Sequence, residues 1–383
     1  MRGCRLMIPF AVLLFLPLFL SDSALAQRSV GSQQKWQQAV SGAEKEGRVV
    51  VFGPPGDIVR TAITQGFRKA FPKVTIEYTG GRGGELATRL KAEMDAGLHN
   101  VDVFLTGTST AVVYLPKQAL GLIPPALILP EVADPKHWRD NRLLYSDSTT
   151  PDNLIFVNHL SPLIVYNLDQ VKPGDVDGLH SLLEPKWKGK IVLNDPLPSG
   201  AAHFHFRWIW ELLGPDKAKD YYRKLREQAG AVDRDQRRQI EWVAQGKYAV
   251  LVAPSGGVLA QLLQRGLKVG VLGEFKDVGG WSTASFGSLV LLNRAPRPNA
   301  AAVFTNWLLA KEGQTAWSQA LYHMSRRVDV PTDHLPPYVI PQTGGGYWSK
   351  DPKRGDKYWL SDLAENPNRT PEEEGILKQL FGR

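Results

Sequence analysis

From residue 48 onward, unbroken apolar runs alternate with segments whose apolar positions recur every three or four residues. Arg48-Val49-Val50-Val51-Phe52 has the character of a buried strand, and Gly53-Pro54-Pro55-Gly56-Asp57 is a turn that ends it. Ile58 to Phe71 carries apolar residues at Ile58, Ala62, Ile63, Phe67 and Ala70, a helical spacing. Val74 to Tyr78 reads as a second strand, ended by Gly80-Gly81-Arg82-Gly83-Gly84, with a helix over Glu85 to Ala96. Val101 to Leu105 is a third strand, ended by Thr106-Gly107-Thr108-Ser109. A second set follows. Its strands are Leu163–Asn167, Lys190–Leu193, Tyr248–Val252 and Lys268–Leu272; its helices are Ala201–Leu213, Ala218–Gln228, Ile240–Gln245 and Val258–Gln264. Ser285 to Leu292 returns as an apolar strand, and Ala300–Leu309 and Gly313–Ala320 as paired helices. From residue 331 to 383, Pro, Gly, Lys and Asp dominate. That stretch reads as a loop-rich tail over the body, with Tyr338, Tyr347, Trp348, Tyr358 and Trp359 as packing anchors. Strands alternating with helices predict an α/β fold with parallel sheets covered on both faces.

The first 26 residues differ in kind. Arg2 and Arg5 precede an apolar run from Leu6 to Leu20, and Ala24-Leu25-Ala26 supplies small residues at a cleavage site. This pattern predicts a secretory signal peptide cleaved after Ala26, and hence an exported protein, which without disulfides is compatible with a bacterial periplasm. Cys4, the single cysteine, leaves with the leader, so no disulfide, thiolate nucleophile or cysteine metal site is expected. A chain of 383 residues with 43% hydrophobic and 22% charged residues is an ordinary globular one of two or three domains. The net charge of +8 falls to +7 once Arg2, Arg5 and Asp22 are removed. Its cations are interspersed with acids even in the densest cluster, Asp233 to Arg238. That predicts a solvated face and no nucleic-acid partner, while a mildly positive field favours small anions.

Chemistry concentrates in loops. Five strand-to-helix loops are rich in Gly, Pro, Ser or Thr: Gly53–Asp57, Gly80–Gly84, Thr106–Ser109, Pro198–Ala201 and Pro254–Gly257. Glycine admits a ligand close to the backbone, and a helix start presents free N–H groups. In an open α/β sheet such loops share the carboxyl edge, where ligands bind. Five loops split between two halves predict a cleft between two lobes. Dinucleotide, Walker and G-x-S-x-G motifs are absent from the sequence. His203 and His205 stand about 200° apart on their helix, so no metal site is expected. Asp233 and Asp235 are a carboxylate pair of unknown separation, the residual case for a secreted hydrolase. Trp208 and Trp210 are expected in the core; Trp281 is open between core and site.

The order of Val49-Val50-Val51-Phe52-Gly53, Phe67 to Pro72, Val101 to Phe104, Val165-Tyr166-Asn167, Trp187-Lys188-Gly189-Lys190-Ile191, Gly246 to Val250 and Arg326 to Val330, behind an export leader, resembles bacterial periplasmic solute-binding proteins of ABC importers. The resemblance covers roughly residues 45–330 and is nearest to the branch that includes the ferric-iron-binding proteins. It implies a type 2 periplasmic-binding-protein-like fold, two α/β lobes joined by crossing hinge strands. Lobe one would be 27–165 plus 285–330, lobe two 166–284, and 331–383 an extension. Val165-Tyr166-Asn167 would lie at the first crossing and Ser285 to Leu292 at the return. The resemblance further implies a non-enzymatic, monomeric protein that closes on a small-molecule ligand and docks on an ABC permease in the inner membrane, without a cofactor. Iron-binding relatives carry a tyrosine pair after the strand matching Tyr248–Val252; here the chain reads Ala253-Pro254-Ser255-Gly256-Gly257. An anionic organic solute is therefore expected in place of iron. The expected ligand-binding residues are Gly53, Asp57, Gly81, Arg82, Gly83, Thr106, Thr108, Ser109 and Tyr166, with Ser199, Gly200, Ser255 and Gly256 opposite them. Arg82 would be the charge partner.

Overall fold

The computed structural model describes residues 21–147, 149–172, 174–198, 200–341, 346–348, 356–361 and 370–382. Its first sheet runs in the order Thr75–Gly80, Arg48–Gly53, Val103–Thr106, Ser288–Leu292, Asn153–Ile155, Leu144–Tyr145, and Leu120–Gly121 also pairs with Ser288–Leu292. The first three strands are parallel; Ser288–Leu292 enters antiparallel between Val103–Thr106 and Asn153–Ile155. Because side chains alternate along a strand, this sheet feeds two cores. Val49, Val51, Val103, Leu105, Leu289 and Leu291 pack under the helices Ser21–Glu46, Asp57–Ala70, Pro298–Leu309 and Lys311–Leu321. Phe52, Phe104, Val290 and Leu292 pack on the other face, under Gly83–Asp95 and Thr108–Tyr114.

The second sheet has the order Ala229–Asp233, Ile191–Asn194, Val250–Val252, Ile164–Tyr166, Gly270–Leu272. It alternates in the same way. Ile191, Leu193, Val250 and Val252 face the helices Ala201–Leu213 and Pro215–Gln228, while Val192 and Leu251 face Gln236–Ala244 and Gly256–Gln264. Trp208 and Trp210 are buried on the former side, as core residues.

The chain passes between the sheets at His159–Leu160, which pairs antiparallel with Gly280–Thr283 on the way back. This corrects the expected crossing. Val165-Tyr166-Asn167 is not at the passage, because Ile164–Tyr166 is hydrogen-bonded on both sides within the second sheet. The real crossing is two residues long and has no periodicity to read. The tail is a second correction. It supplies two strands, Gly346–Trp348 and Asp356–Leu360, and a helix, Pro371–Phe381. Asp356–Leu360 lies parallel beside Gly280–Thr283, which makes a third sheet of four strands at the passage. Tyr358 and Trp359 are fully buried there, as expected of anchors. Most of the expected leader lies outside the described residues, and no described helix is long and apolar enough to cross a membrane.

Candidate functional site

The carboxyl ends of the parallel strands carry the polar loops, and backbone bonds tie neighbouring loops together. Gly81 N donates to Gly53 O at 3.0 Å, and the Tyr78 hydroxyl donates to Pro54 O at 2.8 Å. Burial pushes the Tyr78 phenol well above its ordinary range. A Cβ on Gly53 would lie 2.5 Å from the Tyr78 hydroxyl, so this glycine makes room for a neighbouring side chain. Gly81 likewise lies against the Leu86 side chain. Asp57 is exposed in the first turn of its helix.

The geometry converges at the end of Val103–Thr106. Thr106 is fully buried, and among the described residues its Oγ1 has no hydrogen-bond partner. A Cβ on Gly83 would sit 2.9 Å from Thr106 Oγ1 and 3.2 Å from Thr110 Oγ1. Two hydroxyls therefore face the start of the 13-residue helix Gly83–Asp95, where backbone N–H groups are unpaired by the helix itself. Ser288 Oγ donates to Thr106 O at 2.9 Å, and Asn153 Nδ2 reaches Thr108 O at 3.4 Å, so the strand end is fixed from its partner strands. Thr108 is buried and Ser109 half-buried. The carbonyl of Ser285, a residue in the left-handed region at φ 50°, closes over Gly107. Arg82 is exposed, and its guanidinium is 3.7 Å from Glu85.

The second sheet presents a more rigid edge. Asn194 Nδ2 donates to Ala253 O at 2.8 Å, and Asp195 N donates to Asp233 O at 2.9 Å. Gln239 Nε2 also donates to Asp233 O. Three consecutive loop starts are thereby joined by buried polar groups. Ala253 sits at φ 58°, a conformation costly for a residue with a Cβ, and its N–H donates to Leu163 O at 2.8 Å. Ser255 and Gly256 follow it, half-buried, and Gly256 lies against Pro162. Gly200, at φ 148°, precedes the helix Ala201–Leu213; Ser199 lies outside the described residues.

Not every expected residue joins this edge. Tyr166 pairs with Val250 and Gly270, two residues away from the loop-bearing end of an antiparallel neighbour, and its ring covers Gly270. The antiparallel direction of Ile164–Tyr166 places it away from these loops. Asp233 and Asp235 serve the structure, Asp233 holding Arg238 at 2.7 Å and Asp235 capping the Gln236–Ala244 helix. Trp281 is buried beside Phe204, a core position. His203 and His205 are buried, and His205 Nδ1 meets the Tyr222 hydroxyl at 2.6 Å. Among the described residues no group of three or more His, Cys, Asp or Glu is placed to hold a metal ion.

One residue at this edge escaped the sequence reading. Arg234 follows the strand Ala229–Asp233, and its Nε donates to Asp195 Oδ2 at 2.7 Å. Asp195 is buried and also accepts from Leu197 N, while 63% of the Arg234 side chain is exposed. The guanidinium is thus oriented through one edge and open at the other. A cation alternating with Asp233 and Asp235 carries no sequence signal for this, because Asp195 is 39 residues away.

The helix Gly256–Gln264 of the second body lies against the first body. The place of a Cβ on Gly56 is 3.5 Å from Gln261 Nε2, and Gln264 Nε2 reaches Ala320 O at 3.4 Å.

A family model described as bacterial extracellular solute-binding protein matches residues 62–327. No curated protein matches the sequence. Among solved structures, the Trichodesmium protein IdiA (FutA), in complex with iron and citrate, is 19% identical, with 88% of this chain and 100% of that one covered at a TM-score of 0.64. A ferric binding protein from Campylobacter jejuni is 16% identical over the same shares, also at 0.64. AfuA from Actinobacillus pleuropneumoniae, with exogenous fructose-6-phosphate bound, is 18% identical, with 88% and 96% covered at 0.57. At these identities the likeness establishes the fold, that of the type 2 periplasmic binding proteins.

Proposed function

Since the chain belongs to the bacterial extracellular solute-binding protein family, we propose that it is the periplasmic substrate-binding component of an ABC importer for a small anionic solute. The leader would be cleaved after Ala26, and the two sheets with their helices would form lobes that close on the solute and present it to a membrane permease. The family is one of binding proteins, and no chemical step is assigned to the chain.

The observation that carries the anionic reading is Thr106 Oγ1, a buried hydroxyl without a partner among the described residues, aimed at the start of the Gly83–Asp95 helix. A buried hydroxyl left unpaired costs about 1–3 kcal/mol, a cost that an acceptor on the solute removes. Helix N–H groups and hydroxyls suit carboxylate or phosphate oxygens. Arg82 from one lobe and Arg234 from the other would supply charge. Gly81, Gly83, Thr108, Ser109, Gly200, Ser255 and Gly256 would line the cleft, and Ser199 would join them. Gly53 and Asp57 would border it.

A ferric-iron cargo is the second reading, favoured by two neighbours whose names refer to iron. Against it stands the loop Ala253 to Gly257, which offers no phenolate or carboxylate. The test is a thermal-shift screen of ligand-stripped residues 27–383 with organic phosphates, phosphonates, carboxylates, sugars and ferric citrate. A ligand at 100 times its Kd adds about 2.7 kcal/mol, or about a few degrees for a chain of this size. A shift with one anion class supports the proposal. A shift with iron alone replaces the cargo.

A further inference from the structure

The tail strand Asp356–Leu360 occupies an unusual place. It pairs with the returning crossing strand in the register Trp281 to Trp359 and Ser282 to Leu360. Adjacent side chains of a strand point to opposite faces, and here those faces belong to different bodies. Trp359, fully buried, joins the hydrophobic core of the second sheet. Leu360, 7% exposed, joins that of the first. Ser361 fixes the register, its N–H and Oγ both donating to Ser282 O at 3.1 and 2.9 Å.

The described residues on either side of Leu360, Tyr358 and the final helix, are fastened to the second body. The Tyr358 hydroxyl donates to Glu274 Oε2 at 2.6 Å. The helix Pro371–Phe381 places Leu377 and Phe381 in the second core, and Glu373 Oε1 lies 3.2 Å from Arg207 Nε. The tail is thus anchored to the second body by a helix, two aromatic side chains and a buried ion pair, while Leu360 reaches across to the first.

We infer that Asp356–Leu360 is a third hinge strand that sets how far the two bodies open. This rests on the reading of those bodies as closing lobes. Rotation about His159–Leu160 and Gly280–Thr283 alone would leave both cores intact. With the tail in place, wide opening must draw Leu360 out of the first core or Trp359 out of the second. The tail therefore restricts the ligand-free protein to a narrow range of angles.

The test uses the absence of cysteine from residues 27–383. Spin labels at Leu98→Cys and Lys219→Cys, exposed positions on the two bodies, report the interlobe distance by pulsed electron resonance. The ligand-free protein should give one narrow distribution. Leu360→Ala should at least double its width. Leu377→Ala, which loosens the tail helix within the second core only, should lower the melting temperature without broadening the distribution. Unchanged width in a folded Leu360→Ala protein overturns the inference, and so does equal broadening in Leu377→Ala. If Leu360→Ala does not fold, Leu360→Val is read the same way, together with faster amide exchange in Gly280–Thr283. None of these readouts requires a ligand. If the distribution in the unaltered protein is already broad, the hinge inference fails while the solute-binding reading is still decided by the thermal-shift screen.

Discussion

At the scale of single residues, Thr106 combines burial and a hydroxyl without a partner among the described residues with a place at the carboxyl end of a parallel strand. Thr106→Val keeps the volume of a side chain whose hydroxyl has no partner among the described residues. Stability should hold within about 1 kcal/mol, whereas affinity for the proposed anionic solute should fall by about tenfold, some 1.4 kcal/mol. Calorimetric titration of the purified variant decides this; equal affinity would remove Thr106 from the site. Arg82→Ala and Arg234→Ala should each weaken binding by about 1 kcal/mol or more if they make charge-assisted bonds. An affinity that survives both substitutions would argue for a neutral cargo. The buried histidines give a pH dependence. Burial lowers His159 and His205 to about 3 and holds His323 well below its ordinary value, the nearby His159 adding to this. The unfolded chain binds protons on these rings near pH 6.5 and the native protein does not. Stability is therefore full above that pH and falls on acidification, by about 1.4 kcal/mol per pH unit for each ring that stays neutral. Melting temperature measured from pH 7.5 to 4.5 should decline, and His205→Phe should make the decline shallower. The sequence disclosed the Gly, Ser and Thr content of the loops. It did not disclose that Gly53 yields space to Tyr78, nor that Arg234 is steered by Asp195, since both facts depend on contacts between distant segments.

At the scale of elements, what was legible followed from periodicity. Ala201–Leu213 appears with the expected bounds, and the strands Arg48–Gly53 and Thr75–Gly80 are shifted by no more than two residues. Short elements held by pairing were not legible. His159–Leu160 forms because Gly280–Thr283 offers it partners, and two residues cannot show a period. The final helix carries its own start signal in the sequence. Thr370-Pro371-Glu372-Glu373 is a capping box, with Thr370 accepting from Glu373 N and Glu373 accepting from Thr370 N. Ile376, Leu377, Leu380 and Phe381 follow at helical spacing. Glu373 thus serves two ends, the cap and the ion pair with Arg207, whose side chains are 1% and 6% exposed. Thr370→Ala should cost about 1 kcal/mol. Glu373→Ala should cost about 3 kcal/mol, at the low end for a broken buried pair because Arg207 keeps Glu211 at 3.4 Å. Urea denaturation of the two variants measures the difference; equal costs would mean that the ion pair contributes nothing beyond the cap.

At the scale of the molecule, the alternation of strands and helices predicts both sheets, yet their membership is interleaved in a way that alternation does not reveal. The second sheet is built from one continuous stretch, Ile164 to Leu272. The first is closed by Ser288–Leu292, which enters between Val103–Thr106 and Asn153–Ile155. The bond from Ser288 Oγ to Thr106 O spans 182 residues. This late central strand governs how the chain acquires its structure. The first core cannot seal while the chain is shorter than about residue 292, however much of it has been made. Contacts that close long loops form slowly, so refolding should be biphasic. Trp208 and Trp210 would report the fast assembly of the second sheet with its own helices, before the tail docks on it, and Trp307 and Trp317 the slow completion of the first core. The amino-terminal strands therefore stay without their closing partner until well over half of the polypeptide has been made.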